Sequence, residues 1–212
     1  MVSGAVRSTR QGHTPPEIAA NRRYGASAIV LHWLIALLIV VQLGLGWYMN
    51  EVLPDHTPAQ AAVQGVHISL GLTILLLVLA RIAVRLTHPA PPLPAGLAPW
   101  ERILAHASHI LFYLLMLVLP LTGWALVSLG THPISFWGVP WPRLPGVDLV
   151  FGSPAPRAVK HQLAHIHVYI LIWIVLANLA LHVAGALKHQ FDANPVLWRM
   201  SGLKPPAAPP AR

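Results

Sequence analysis

The stretch LANLALHVAGALK, Leu176–Lys188, places a histidine inside a helix-forming run that is otherwise suited to hydrocarbon. Burying an imidazole in such a run is costly unless something binds it. The same feature recurs in IVLHWLIALLIVV (29–41) at His32 and in QGVHISLGLTILLLVLA (64–80) at His67. A helix needs about 20 apolar residues to cross a bilayer core. Four stretches qualify, running from about Ala26 to Tyr48, Val66 to Val84, Ile103 to Val127 and Gln162 to Leu187. They are too long and too rich in Leu and Ala for barrel strands, and the alternation of a barrel is absent. The predicted fold is therefore all-α, an integral membrane four-helix bundle.

Composition agrees. Of 212 residues, 55% are hydrophobic and 9% charged, against about 25% charged in a soluble domain. The formal net charge of +8 reads as a determinant of orientation rather than as a nucleic-acid surface, because basic and aromatic residues do not interleave. There is no cysteine, which excludes disulfides, iron–sulfur clusters, thiolate-ligated haem and covalent c-type haem. Residues 1–23 carry Arg7, Arg10, Arg22 and Arg23 without an apolar core, so they read as a disordered cytoplasmic tail and not as a cleavable signal. Residues 24–202 form the transmembrane domain, and 203–212 a disordered Pro-rich tail.

The loops set the expected orientation. Arg7, Arg10, Arg22, Arg23, Arg81, Arg85, Arg102, Lys188, Arg199, Lys204 and Arg212 fall on one side of the four spans. Arg143, Arg157 and Lys160 fall on the other. The basic excess predicts both termini in the cytoplasm of a bacterial inner membrane. Arg143, Arg157 and Lys160 run against that rule. They suit a solvated loop, or the binding of an anionic group on the outer side. The third connection, about Ser128–Lys160, is long and rich in Pro, Gly and Trp. It is expected to lack regular structure, a kind of loop that often carries function.

Among 13 histidines, depth and pairing single out a few. His32 near the start of span one and His182 near the end of span four share the cytoplasmic level. His67 shares the outer level with His165 and His167. Paired imidazoles at two levels are what two stacked six-coordinate haems require, with one axial ligand from each of two helices. The partner of His67 is open. At 100° per residue, His165 points about 100° from His182, and His167 about 60° away on the other flank. Val168 occupies the better-aligned place, so a local bulge or a tilted haem is needed. We favour His165, with His167 as the alternative. His106 and His109 are expected to face headgroups rather than a propionate or quinone. Asn178 is expected to bond across helices. Zinc is a poor fit, because no acidic or Cys partner accompanies the buried histidines.

The segments YGASAIVLHWLIALLIVVQLGLGWYM, VHISLGLTILLLVLARIAVRLTHPAPPLP, LAHASHILFYLLMLVLPLTGW and LHVAGALKHQFDANPVLWRM resemble the bacterial cytochrome b561 family over about residues 22–202. That resemblance implies two haems b, with His32 and His182 on one and His67 on the other. The family usually places the fourth ligand 14 residues before the helix-four histidine, where this chain has Val168. The wider spacing in related hydrogenase cytochrome subunits slightly favours His165. The implied function is electron transfer in the respiratory chain, with ubiquinone in the bilayer and superoxide or a periplasmic redox partner outside, as in members similar to superoxide oxidases. Two rivals share part of the pattern: a cytochrome subunit anchoring a hydrogenase or dehydrogenase, and a haem-free transporter or scaffold.

Overall fold

The computed structural model describes residues 23–93, 96–191 and 196–201; the two tails predicted to be disordered lie almost wholly outside them. Four long apolar helices dominate. The first, α1, is Ala26–Trp47, extended by a π-helical turn at Tyr48–Val52. The second, α2, is Pro58–Thr87, and the third, α3, is Pro99–Ser128. After a hairpin of β1 (Ile134–Phe136) and β2 (Val139–Trp141) comes a short α4 (Val147–Phe151). The last span is continuous but composite: α5 (Arg157–His165), a π-helical turn at Ile166–Ile170, and α6 (Leu171–Phe191). A single turn, α7 (Trp198–Ser201), follows. All four long segments have the length and composition to cross a membrane.

The helices outrun the apolar runs that announced them, because polar starts were built onto them. The Thr57 hydroxyl accepts from Gln60 N at 3.2 Å and Pro58 occupies the first turn, so α2 begins before its apolar run. Thr and Pro at those positions satisfy or remove donors that the helix cannot pair itself. Pro99 opens α3 likewise, and the Glu101 carboxylate accepts from Ala98 N at 2.9 Å.

The buried surface is small, as expected where lipid covers the rest. Ile35 of α1 packs with Leu70, Ile74 and Val78 of α2. Val30, Leu37, Val40, Leu114 and Trp173 point outward. At the end away from α7, a second cluster joins Ala125, Leu129, Val147 and Leu163. It closes the third connection, which is more ordered than its composition suggested. Strands β1 and β2 pair antiparallel, with Phe136 opposite Val139. The two turn residues, Trp137 and Gly138, have φ of 51° and 89°, the left-handed conformation of a tight hairpin. Two bonds to α2 hold Trp137 there: its N–H donates to Ser69 Oγ and its indole Nε1 to Thr73 Oγ1, both at 3.0 Å. Arg143 donates to the Ser128 carbonyl at the end of α3, at 2.7 Å.

The opposite end is tied by α7. Arg199 donates to the Pro92 carbonyl at 2.8 Å, and the Trp33 indole donates to the Met200 carbonyl at 2.7 Å. Midway, α3 and α6 are locked by a reciprocal pair. Ser108 Oγ donates to Asn178 Oδ1 at 2.9 Å, and Asn178 Nδ2 donates to the Ser108 carbonyl at 3.1 Å. Both residues are buried. This amide therefore serves the helix contact that the sequence suggested.

Interhelical polar bonds within membranes are worth about 1 kcal/mol each. Asn178→Leu is therefore expected to lower the thermal midpoint of detergent-solubilised protein by a few degrees without unfolding it. An unchanged midpoint would show that the lock contributes nothing.

Candidate functional site

The histidines gather at two levels between the spans. At the level nearer α7, the ring centroids of His32 and His182 are 6.2 Å apart. At the level nearer the hairpin, those of His67 and His167 are 6.3 Å apart. A metal–imidazole bond is about 2 Å long, and each ring centre lies about 1 Å beyond its nitrogen, so an iron held between two imidazoles asks for centroids about 6 Å apart. Both pairs meet that requirement before any iron is considered. His167 and His182 are separated by 15 residues, which sets the levels about 22 Å apart along the last span.

The structure brings His67 to His167 and not to His165. His165 is exposed and its ring lies against Tyr169, 5.3 Å between centroids. The π-helical turn at Ile166–Ile170 accounts for this. Such a turn bonds i to i+5 and absorbs one extra residue. Fifteen residues thus span the angle that about fourteen would in a regular helix, and His167 swings toward the face of His182.

Neighbouring residues make room for the rings. A Cβ on Gly123 would stand 3.1 Å from His167 Cε1, and one on Gly46 would stand 3.4 Å from His67 Cε1. His67 Nδ1 and Gln42 Oε1 are buried without a hydrogen-bond partner, although Gln42 Nε2 donates to the His67 carbonyl at 2.9 Å. Beside these rings a cavity of about 640 Å³ runs between the spans, walled by Leu43, Ile74, Leu115, Ile172 and Val175 among others. Small-molecule and cofactor pockets fall in the range of about 300–1,000 Å³. A smaller space of about 210 Å³, bordered by Asn50, Gln64 and Trp124, adjoins it around His67 and His167. Facing imidazoles, glycine clearance and an apolar chamber together fit a flat, apolar group that takes a nitrogen ligand on each face.

The other level carries more charge. Arg81 places one guanidinium nitrogen 3.4 Å from His32 Nδ1 and donates another to the Ala28 carbonyl at 3.3 Å. This cation suits the carboxylates of a porphyrin. His109 differs from its expected place among headgroups, because its ring centroid stands 5.5 Å from that of His182. Phe112 packs edge-on against His182 from the same helix. His106 meets the expectation better: it is exposed and bonds only locally, to the Arg102 carbonyl. Two residues at the hairpin-side level escaped the sequence reading. They are Gln42 and Thr122, whose hydroxyl lies 2.9 Å from His167 Nδ1. Nothing in their immediate sequence marks them, since each is one polar residue on a helix whose partner lies far along the chain.

The model of the prokaryotic cytochrome b561 family matches residues 23–202. Among curated proteins, the chain is 30% identical over 182 residues to cytochrome b561 homolog 2 of Escherichia coli (strain K12), covering 85% of this chain and 92% of that protein. It is 28% identical over 178 residues to the probable superoxide oxidase CybB of Yersinia pestis, covering 81% and 90%. Cytochrome b561 homolog 1 of Escherichia coli (strain K12) is 24% identical over 120 residues, covering 55% of this chain and 65% of that protein.

The glycine clearances are testable. Gly123→Leu is expected to drive a side chain into the His167 ring and remove about one of two haem equivalents, read by pyridine haemochrome. Gly44→Ala, whose Cβ meets nothing within 4 Å, is expected to keep both. Equal haem content in the two variants would contradict the cradle.

Proposed function

This chain belongs to the prokaryotic cytochrome b561 family, and from that premise we propose that it carries electrons within the membrane on two haems b. It is a multi-pass membrane protein with four spans, and membership of the family implies haem b. In our reading, His32 and His182 hold one haem, and His67 and His167 hold the other. The observation that carries this is the pair of imidazole–imidazole separations, 6.2 and 6.3 Å, at two heights in one bundle.

Haem b supplies one-electron chemistry at its iron. The protein's part would be to hold each haem between two imidazoles, His32 with His182 and His67 with His167, an arrangement that would favour outer-sphere electron exchange over oxygen binding. The apolar walls exclude water from the interior. Arg81 offers its charge to propionates at the level nearer α7. The Lys/Arg excess at that end supports a cytoplasmic position for it in a bacterial inner membrane, with the hairpin outside.

The partners follow from the same arrangement. A lipid-soluble quinone, ubiquinone in our reading, exchanges electrons from the bilayer. The resemblance to a protein named probable superoxide oxidase supports superoxide as the outer donor. Arg157 and Lys160 at the start of the last span are placed to attract an anion by long-range charge.

Haem quantification on single variants tests the ligand set. His167→Ala is expected to leave about one haem per chain, and His165→Ala to leave two. The reverse pattern would return the ligand role to His165; two haems in both would refute the outer site as drawn. On the same wild-type preparation, a superoxide source is expected to drive reduction of added ubiquinone. No quinone reduction above the protein-free rate would remove the superoxide reading and leave the electron carrier standing.

A further inference from the structure

We propose that Thr122 is a positioning residue for the outer axial ligand, fixing the tautomer and ring orientation of His167. The inference rests on the assignment of His167 as a haem ligand. Thr122 lies on α3, 45 residues before His167. Its hydroxyl proton is committed elsewhere, because Thr122 Oγ1 donates to the Leu119 carbonyl at 2.8 Å. The oxygen therefore faces the imidazole with a lone pair. At 2.9 Å from Nδ1, we assign the ring nitrogen as the donor.

A neutral imidazole with its proton on Nδ1 has its lone pair on Nε2. Thr122 thus leaves Nε2 free to bind iron. A hydrogen bond from the distal ring nitrogen also raises the basicity of the ligating one. Gly123, next in sequence, gives the ring its place: a Cβ there would crowd Cε1 at 3.1 Å. Its counterpart is held differently, since His67 Nδ1 has no partner among the described residues. The two ligands of the outer site are therefore unequal, with His167 the one fixed by a side-chain acceptor.

The test replaces the acceptor while keeping the shape. Thr122→Val removes the oxygen and Thr122→Ser retains it. Redox titration of the purified, haem-loaded protein is expected to show one of two midpoint potentials raised in Thr122→Val, because a less basic imidazole stabilises ferric iron less. The other potential stays in place, and Thr122→Ser returns the first toward wild type. Haem retention at the outer site is expected to fall by about tenfold, the lower end of what losing such a partner costs. If Thr122→Val does not accumulate, Thr122→Ala serves the same comparison. Two unmoved potentials in the valine or alanine variant would overturn the inference. So would equal shifts in the valine and serine variants, which would assign the effect to packing. His167→Ala separates this failure from the larger one. If that variant keeps both haems, the ligand assignment itself is wrong and the role of Thr122 falls with it.

Discussion

An imidazole in an apolar span has to be satisfied by something other than water, and that constraint organises this protein. His32, His67, His167 and His182 lie on three helices that share no local sequence contact. They are nevertheless brought together as two opposed pairs with matching separations. Lone buried histidines could each be settled by a helix-to-helix hydrogen bond. Two facing pairs at separations of 6.2 and 6.3 Å match the spacing of imidazoles about an iron, and our proposed occupant rests on that match.

The rest of the bundle serves those pairs. Helices α1 and α2 are joined by the Ile35, Leu70, Ile74 and Val78 contact, which fixes His32 and His67 on one wall. Ser108 and Asn178 fasten α3 to α6 and set the opposite wall. Between the walls the packing is deliberately loose, with glycine beside two of the rings and a chamber of about 640 Å³. Each end is closed by its own polar ties. Trp137 on Ser69 and Thr73 holds the hairpin end, and Arg199 on Pro92 holds the other. Such ties satisfy backbone groups at the rims, where helix ends leave them unpaired.

Legibility in the sequence followed the range of the interactions. The four spans were readable because an apolar run of about 20 residues has few other uses. His32 and His182 were readable as one level because a span's ends are known once its direction is. The choice between His165 and His167 was not readable. A straight helix aligns neither with His182, and a π-helical turn leaves no signature in IHVYI that distinguishes it from an α-turn. Thr122 and Gln42 were invisible for a related reason: their partners lie 45 and 25 residues away on other helices. The hairpin was masked by composition, since Pro, Gly and Trp read as irregular loop. Its left-handed Trp137 is held by two bonds to α2 that a local reading of the sequence does not reveal. His109, expected to face headgroups because it lies near the start of its span, is instead turned by α3 toward His182.

The central claim is that two irons, each between two imidazoles, occupy this one bundle. It is tested most directly by counting haem b and recording the low-temperature EPR spectrum of the oxidised, detergent-purified wild-type protein. The account predicts two haems b per polypeptide and two low-spin ferric signals of the bis-imidazole type, with negligible high-spin iron. Haem-free protein, a single haem per chain, or a dominant high-spin signal showing an open axial position would contradict it.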